Sequence, residues 1–446
     1  MRKNLNMTQG KPLSLLIRFA LPLMLANVFQ QLYTIVDTAI VGKGVGMAAL
    51  AALGGVDWLN WMMLGIAQGF TQGFGVRISQ KFGEGDQPGL RRFMGQSALL
   101  SAVLALICVL LGQLALPLFL SFLRIPAELV GMSRLYTRIL FIGLPVVFFF
   151  NYCSAMLRAV GDSKTPLIAM AIASVVNIGL DIVAVFVLKW GVAGAAVATL
   201  LAQCLSGGIC LVRIFRTPLL RFGKADLMPD RNVSDNLLKI GTPSAVKNTI
   251  IALGGMAIIT VVNTFGTAFI AGFTSTNKLY GLMEICALSY GFAITTYVGQ
   301  NYGAGRIDRI SAGMKSAFIL AVSTAIVIAA LMFVFGRSIT MLFISTENPA
   351  DAVQAGNVAY WYLCIMASWL PVLYTLYLLL SALQGLGDTV RPMLSGIIEL
   401  CCRVSIAVLV AYLGHAEGIF FAEIAAWTGA VVYLWYHFRK RMKQGI

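Results

Sequence analysis

The sequence predicts an all-α polytopic membrane protein, with twelve transmembrane helices in two pseudo-symmetric six-helix lobes around a central cavity. Three observations carry this. The chain is 59% hydrophobic and only 11% charged, a balance outside that of soluble domains. Apolar stretches of about 20 or more residues, each long enough to cross roughly 30 Å of hydrocarbon, recur along its whole length. The chain also repeats itself.

Ser79 to Asp86 reads SQKFGEGD and Gly299 to Arg306 reads GQNYGAGR, with Gln, an aromatic residue and two glycines in register 220 positions apart. LRAVGDSKTP, Leu157 to Pro166, matches LQGLGDTVRP, Leu383 to Pro392, at an offset of 226, and Arg18 to Pro22 echoes Lys239 to Pro243 at 221. Three matches in one order at nearly equal offsets mark a duplication. Six helices is an even number, so both halves start on the same side and the repeat is parallel. Two such lobes around a cavity that opens alternately to each side form a transport architecture.

In order, the first span, about 13–41, carries Pro22, Asn27, Gln30, Gln31 and Asp37. No small-residue cleavage pattern follows a short apolar core, so it reads as a retained helix and not a signal peptide. Five spans follow at about 47–76, 92–120, 132–156, 166–188 and 191–213. Prolines and basic residues between Arg213 and Asn236 then interrupt the apolar pattern. This divides an N-lobe, 1–213, from a C-lobe, 237–446, through a cytoplasmic linker, 214–236. The C-lobe spans fall at about 238–262, 267–298, 312–343, 353–383, 391–413 and 415–437.

Between spans, Gly83, Gly85, Gly303 and Gly305 suit tight positive-φ turns. In the pairs Gly161–Asp162 and Gly387–Asp388 the glycine can end one helix and the aspartate can accept backbone N–H groups of the next. The formal charge of +15 does not signal nucleic-acid binding, because most Lys and Arg lie in the termini and even-numbered loops. That bias puts both termini in the cytoplasm. The eight cysteines fall inside spans without histidine partners; they read as small apolar packing residues, with no disulfides expected.

An ionisable group inside a span costs about 2.5–3.5 kcal/mol by insertion scales and usually faces a bundle interior, so the intramembrane charges are the candidate functional residues. Asp181 lies roughly 22 Å up the fifth span from Pro166, and Thr199 about 12 Å down the sixth. Asn177 is one turn below Asp181 on the same face. Asp37, far along the first span, is also in the outer half. Two carboxylates, an amide oxygen and a hydroxyl form a hard-oxygen set suited to Na⁺; alternatively the two carboxylates share a proton.

The C-lobe carries Lys247, Lys278, Glu284, Glu399 and Arg403 in its spans. Glu399 and Arg403 are four apart and can pair along one helix. An interhelical salt bridge is expected here, with Glu399 to Lys247 or Lys278 as the candidates, and its role is read as structural. Aromatic and methionine side chains in the second, eighth and tenth spans are mostly packing; some could line a cavity for flat organic cations.

YTIVDTAIVG, the Gln-x-aromatic-Gly-x-Gly loops, the paired LRAVGD and LQGLGD segments, and SVVNIGLD together resemble the multidrug and toxic compound extrusion (MATE) transporters, DinF-like branch, over essentially the whole chain. The resemblance implies a twelve-helix antiporter that exports organic cations and other amphiphiles in exchange for Na⁺ or H⁺. It places the cation on Asp37, Asn177, Asp181 and Thr199. Another branch uses a Glu shortly after a proline in the seventh helix, whereas here SAVKNTII follows Pro243 with Lys247 and Asn248, which favours the N-lobe site.

The expected protein is therefore a secondary active transporter and not an enzyme. No cofactor beyond the coupling ion is expected, Pro22 is a hinge in the first helix, and the setting is the cytoplasmic (inner) membrane of a prokaryote. Its partners are a small organic substrate and the lipid bilayer, with no nucleic acid, and it is expected to act as a monomer. The alternative is a flippase for lipid-linked cell-envelope precursors, whose pyrophosphate the basic residues Lys247, Lys278 and Arg403 would attract.

Overall fold

The computed structural model describes residues 5–123, 125–344 and 349–444. Every regular element among them is helical. The helices are α1 (Pro12–Gly44), α2 (Met47–Glu84), α3 (Gln87–Phe122), α4 (Ala127–Ile142), α5 (Leu144–Ala159), α6 (Lys164–Ile182) and α7 (Gly191–Arg216). They continue with α8 (Arg231–Val262), α9 (Thr267–Gly303), α10 (Ile307–Met341), α11 (Pro349–Ser368), α12 (Leu370–Gly385), α13 (Val390–Leu413) and α14 (Phe421–Lys443). Ten spans are single and two are bent pairs, which gives the twelve of a polytopic membrane protein.

The bent pairs are the fourth and tenth spans. α4 and α5 meet at 47°, and α11 and α12 at 50°. Pro145 and Pro371 each follow a bend by two residues or fewer, and each lacks the N–H that would continue the preceding helix. They stand 226 positions apart, so the breaks are a further copy of the internal repeat.

Chain contacts divide the protein into two units, the first comprising Met1–Gln9, Leu21–Thr249 and Gly299–Gly305. The second comprises Gly10–Ala20, Ile250–Val298 and Arg306–Ile446. Both α1 and α8 pass from one unit to the other, and Pro22 lies two residues beyond the crossover in α1.

In the first unit, a ladder of small residues joins α2 to the first half of α8. A Cβ on Gly69 would stand 2.4 Å from the Ala245 Cα, and one on Gly73 would stand 2.6 Å from the Gly241 Cα. One turn on, Asn248 Nδ2 donates to the Gly65 carbonyl at 2.8 Å. Lipid tails are as apolar as leucine, so helices in a bilayer associate by such close approach more than by hydrophobic exclusion.

The glycine-rich repeats interlock in the same unit. A Cβ on Gly83 would sit 1.9 Å from the Gln300 carbonyl oxygen, and one on Gly303 2.0 Å from that of Gln80. These two glycines therefore serve close approach and not turns. Only Gly85 and Gly305, at φ 75° and 69°, make the positive-φ turn expected of all four.

The segment 214–236 is docked, not loose. Gln96 of α3 donates to the carbonyls of Asp226 and Met228 at 3.0 and 2.6 Å, Arg92 pairs with Asp230 at 2.6 Å, and Leu220 is fully buried. α8 consequently begins at Arg231, a turn and more before the apolar run that the sequence marks. In the second unit, Phe269, Phe420, Tyr362 and Phe273 form a column of rings with successive centroids 5.6, 4.7 and 4.8 Å apart.

Candidate cation-coupling site

Three helices of the first unit build the site. Ser174 Oγ on α6 lies 3.4 Å from the Phe29 carbonyl of α1, and Ser206 Oγ on α7 donates to the Ala169 carbonyl of α6 at 3.1 Å. These contacts set α6 between α1 and α7 and turn its Asn177 and Asp181 inward. Both are fully buried, and Asp37 of α1 is 9% exposed.

Asp181 stands within electrostatic reach of Asp37. Neither Asp181 oxygen, neither amide atom of Asn177 and not the Asp37 Oδ1 makes a hydrogen bond to any described residue. Buried polar atoms are normally paired, and an unpaired one costs about 1–3 kcal/mol, more when charged. The cluster thus offers oxygens to a ligand that the protein itself does not supply.

Immediately beyond Asp181 the α-helical winding fails. Val183–Val187 is a π turn, with the Leu188 N–H on the Val183 carbonyl at 2.9 Å. Two glycines hold it. A Cβ on Gly44 of α1 would stand 2.4 Å from Val185 Cγ1, and one on Gly194 of α7 would stand 2.9 Å from the Ala184 Cβ. Single π turns recur at functional sites.

Thr199 is half-buried on α7, and no described hydrogen bond joins it to the other three. Three residues absent from the sequence-derived set join this neighbourhood. The phenol of Tyr33 approaches Gln203 and feels both Asp37 and Asp181, and Gln203 Oε1 is buried without a described hydrogen-bond partner. Tyr136 of α4 also feels both carboxylates. Helical spacing was the available signal: Tyr33 precedes Asp37 by four residues, and Gln203 follows Thr199 by four.

The C-lobe charges fall differently. Lys247 is buried on α8, in the part that belongs to the first unit. In the second unit Lys278 is exposed, with its Nζ 6.0 Å from the centre of the Phe343 ring. Glu284 accepts from Tyr280 at 3.2 Å and from Tyr377. Arg403 of α13 reaches Glu399 on its own helix at 3.4 Å and Glu423 on α14 at 2.7 Å. This last contact is an interhelical ion pair, and Glu423 did not figure among the charges read from the sequence.

The sequence model of the MatE family matches residues 22–183 and 243–410. The chain is 29% identical over 397 residues to the probable multidrug resistance protein YpnP of Bacillus subtilis, covering 89% of this chain and 88% of that protein. It is 25% identical over 422 residues to the probable multidrug resistance protein NorM of Thermotoga maritima, covering 93% and 88%. Its fold is that of a MOP superfamily transporter from Pyrococcus furiosus, with TM-score 0.92, 22% identity, and 100% and 99% of the two chains covered. A MATE protein solved in complex with MaL6 gives TM-score 0.91 at 23% identity, with 100% and 99% covered. With both halves matched by the family's sequence model and the whole chain matched in fold, this protein belongs to the MatE family of membrane transporters and is not an enzyme.

Proposed function

We propose that this protein is a secondary active antiporter, exporting organic cations or amphiphilic compounds in exchange for Na⁺ or H⁺ across the cytoplasmic membrane of a prokaryote, with both termini in the cytoplasm. The observation that carries the proposal is the buried, unpartnered group of oxygens on Asp37, Asn177 and Asp181. Two carboxylates sharing low-dielectric space repel each other unless a cation or proton lies between them. Hard oxygen donors on separate helices suit Na⁺, and binding it draws α1 toward α6. Pro22, which removes one backbone donor from α1, lets that pull bend the helix and change the lobe's affinity for substrate. The relatives named as multidrug resistance proteins support a drug-like substrate.

The flippase alternative requires cations free to meet a pyrophosphate. Arg403 is instead taken up by two carboxylates, which favours the antiporter. The test is efflux of a fluorescent organic cation from proteoliposomes under a Na⁺ gradient and a pH gradient imposed separately. Export driven by one of them establishes the exchange and names its ion. Failure of both, with correctly inserted protein, overturns the proposal.

A further inference from the structure

A second site lies away from the carboxylates, where α7 ends. Thr217 closes the helix through its N–H on the Ile214 carbonyl at 3.1 Å, and the chain turns back through the short helix Pro218–Leu220. Leu220 anchors this turn by full burial in a cluster with Phe74, Ile78 and Leu237. The turn throws Arg221 outward next to Arg216, and the ring of Phe215 packs at 5.7 Å against that of Phe222. Between them lies an open groove of about 500 Å³, lined by Leu211, Val212, Phe215, Arg216 and Arg221.

The groove is graded in polarity, with cations at one end and hydrocarbon at the other. Arg216 and Arg221 are exposed, and neither guanidinium has an ion pair or hydrogen bond among the described residues. The acids of the flanking segments are engaged elsewhere: Asp162 with Arg213 at 3.1 Å, Asp230 with Arg92, and Asp226 with the Gly223 N–H at 2.8 Å. On the apolar side, Leu201, Leu205, Val212 and Phe215 run as an exposed stripe along α7, each between 38% and 52% exposed. Their spacing of three, four or seven keeps them on one helical face. Gly208 falls in the gap of that stripe, with nothing within 4 Å of where its Cβ would stand, so the stripe carries a notch.

α7 is a membrane span ending at Arg216, which puts the arginine pair where hydrocarbon gives way to headgroups. We infer that this groove binds an anionic phospholipid, its phosphodiester between Arg216 and Arg221 and an acyl chain along Val212, the Gly208 notch and Leu205. A free phosphate would use the arginines but not the stripe. Basic pockets at this level recognise lipid headgroups by charge, while the chains add the apolar contact that a soluble anion lacks.

The test is native mass spectrometry of the detergent-purified full chain, titrated with phosphatidylglycerol or phosphatidylcholine. Wild type is expected to retain phosphatidylglycerol selectively. The double variant Arg216→Gln/Arg221→Gln is expected to weaken retention by more than about tenfold, since each arginine near the surface contributes about fivefold. Arg134→Gln, at an exposed arginine on α4, is expected to leave retention unchanged. Val212→Asn leaves both arginines without a new charge beside them and is expected to weaken retention as well, through the chain. Equal retention by the double variant overturns the site. Displacement of the lipid by millimolar inorganic phosphate, or full retention by Val212→Asn, overturns the assignment to a lipid.

Discussion

Gly73 of α2 and Gly241 of α8 touch backbone to backbone, with the Cα of the second 2.6 Å from where a Cβ on the first would stand. Gly69 repeats the contact with Ala245 one turn away. Together they seat the first half of α8 in the unit of α2. Gly73→Val is therefore expected to destabilise the fold. Overpacking ordinarily costs about 1–3 kcal/mol, and the figure here lies at the upper end because the obstruction is backbone that cannot rotate away. A lowered midpoint in detergent-solubilised thermal unfolding checks it, whereas wild-type stability would mean the ladder is slack.

Asp37→Asn keeps the size of the side chain but removes its charge. Export against a gradient is expected to be lost while thermal stability is retained or rises, because the variant buries one fewer unpaired charge. Asp181→Asn is expected to behave alike. Uphill efflux at the wild-type rate by either variant, measured in proteoliposomes, would sink the N-lobe coupling site.

Pro22→Ala restores a backbone N–H inside α1, adding a hydrogen bond worth roughly 1 kcal/mol. The expected outcome is a stiffer helix, a thermal midpoint equal to or above wild type, and slower gradient-driven efflux. Unchanged efflux would remove Pro22 as a hinge.

Arg403 is 5% exposed and holds Glu399 and Glu423. Glu423→Ala strips the partner on α14 and leaves the buried guanidinium undercompensated, an event that costs roughly 3–5 kcal/mol. Replacing both, as Arg403→Met with Glu423→Leu, is expected to cost less than the single change. A double-mutant cycle on thermal unfolding reads the difference directly.

Asp86 caps α3 between two spans, accepting the Gly89 N–H at 2.9 Å and the Lys81 ammonium at 3.0 Å. The Gly89 hydrogen bond, and then Lys81, hold its carboxyl below the ordinary value of 3.8. A group depressed on folding stabilises the fold at neutral pH, and that contribution is lost as the pH falls through 3.8 toward the lower folded value. Asp86→Ala is expected to cost about 0.5–2 kcal/mol at pH 7, and progressively less as the pH falls below 3.8. A midpoint difference between variant and wild type that stays constant across this range would refute the capping role.

The residues that matter to the site divide by how far their signal reaches along the chain. Asp37 and Asp181 stand out in the sequence because a charge in an apolar run is expensive wherever the helix turns, and Asn177 follows from Asp181 by one helical turn. Tyr33 and Gln203 are ordinary polar residues of a helix face. They become part of the site only once α1 and α7 are rotated toward α6.

By itself the sequence determined the twelve spans, the duplicated half, and the acids placed in hydrocarbon, since apolar length, repeat offset and charge are properties of the chain read locally. Only the tertiary structure decided which groups meet. It gave Arg403 its partner on α14, set Gly83 and Gly303 to close approach, left Gly85 and Gly305 to turn, and wound Val183–Val187 as a π turn between two glycines. The physical reason is that a helix's rotation about its axis is fixed by close approach at small residues such as Gly44, Gly73 and Gly83, and the atoms they meet belong to segments far away in the sequence.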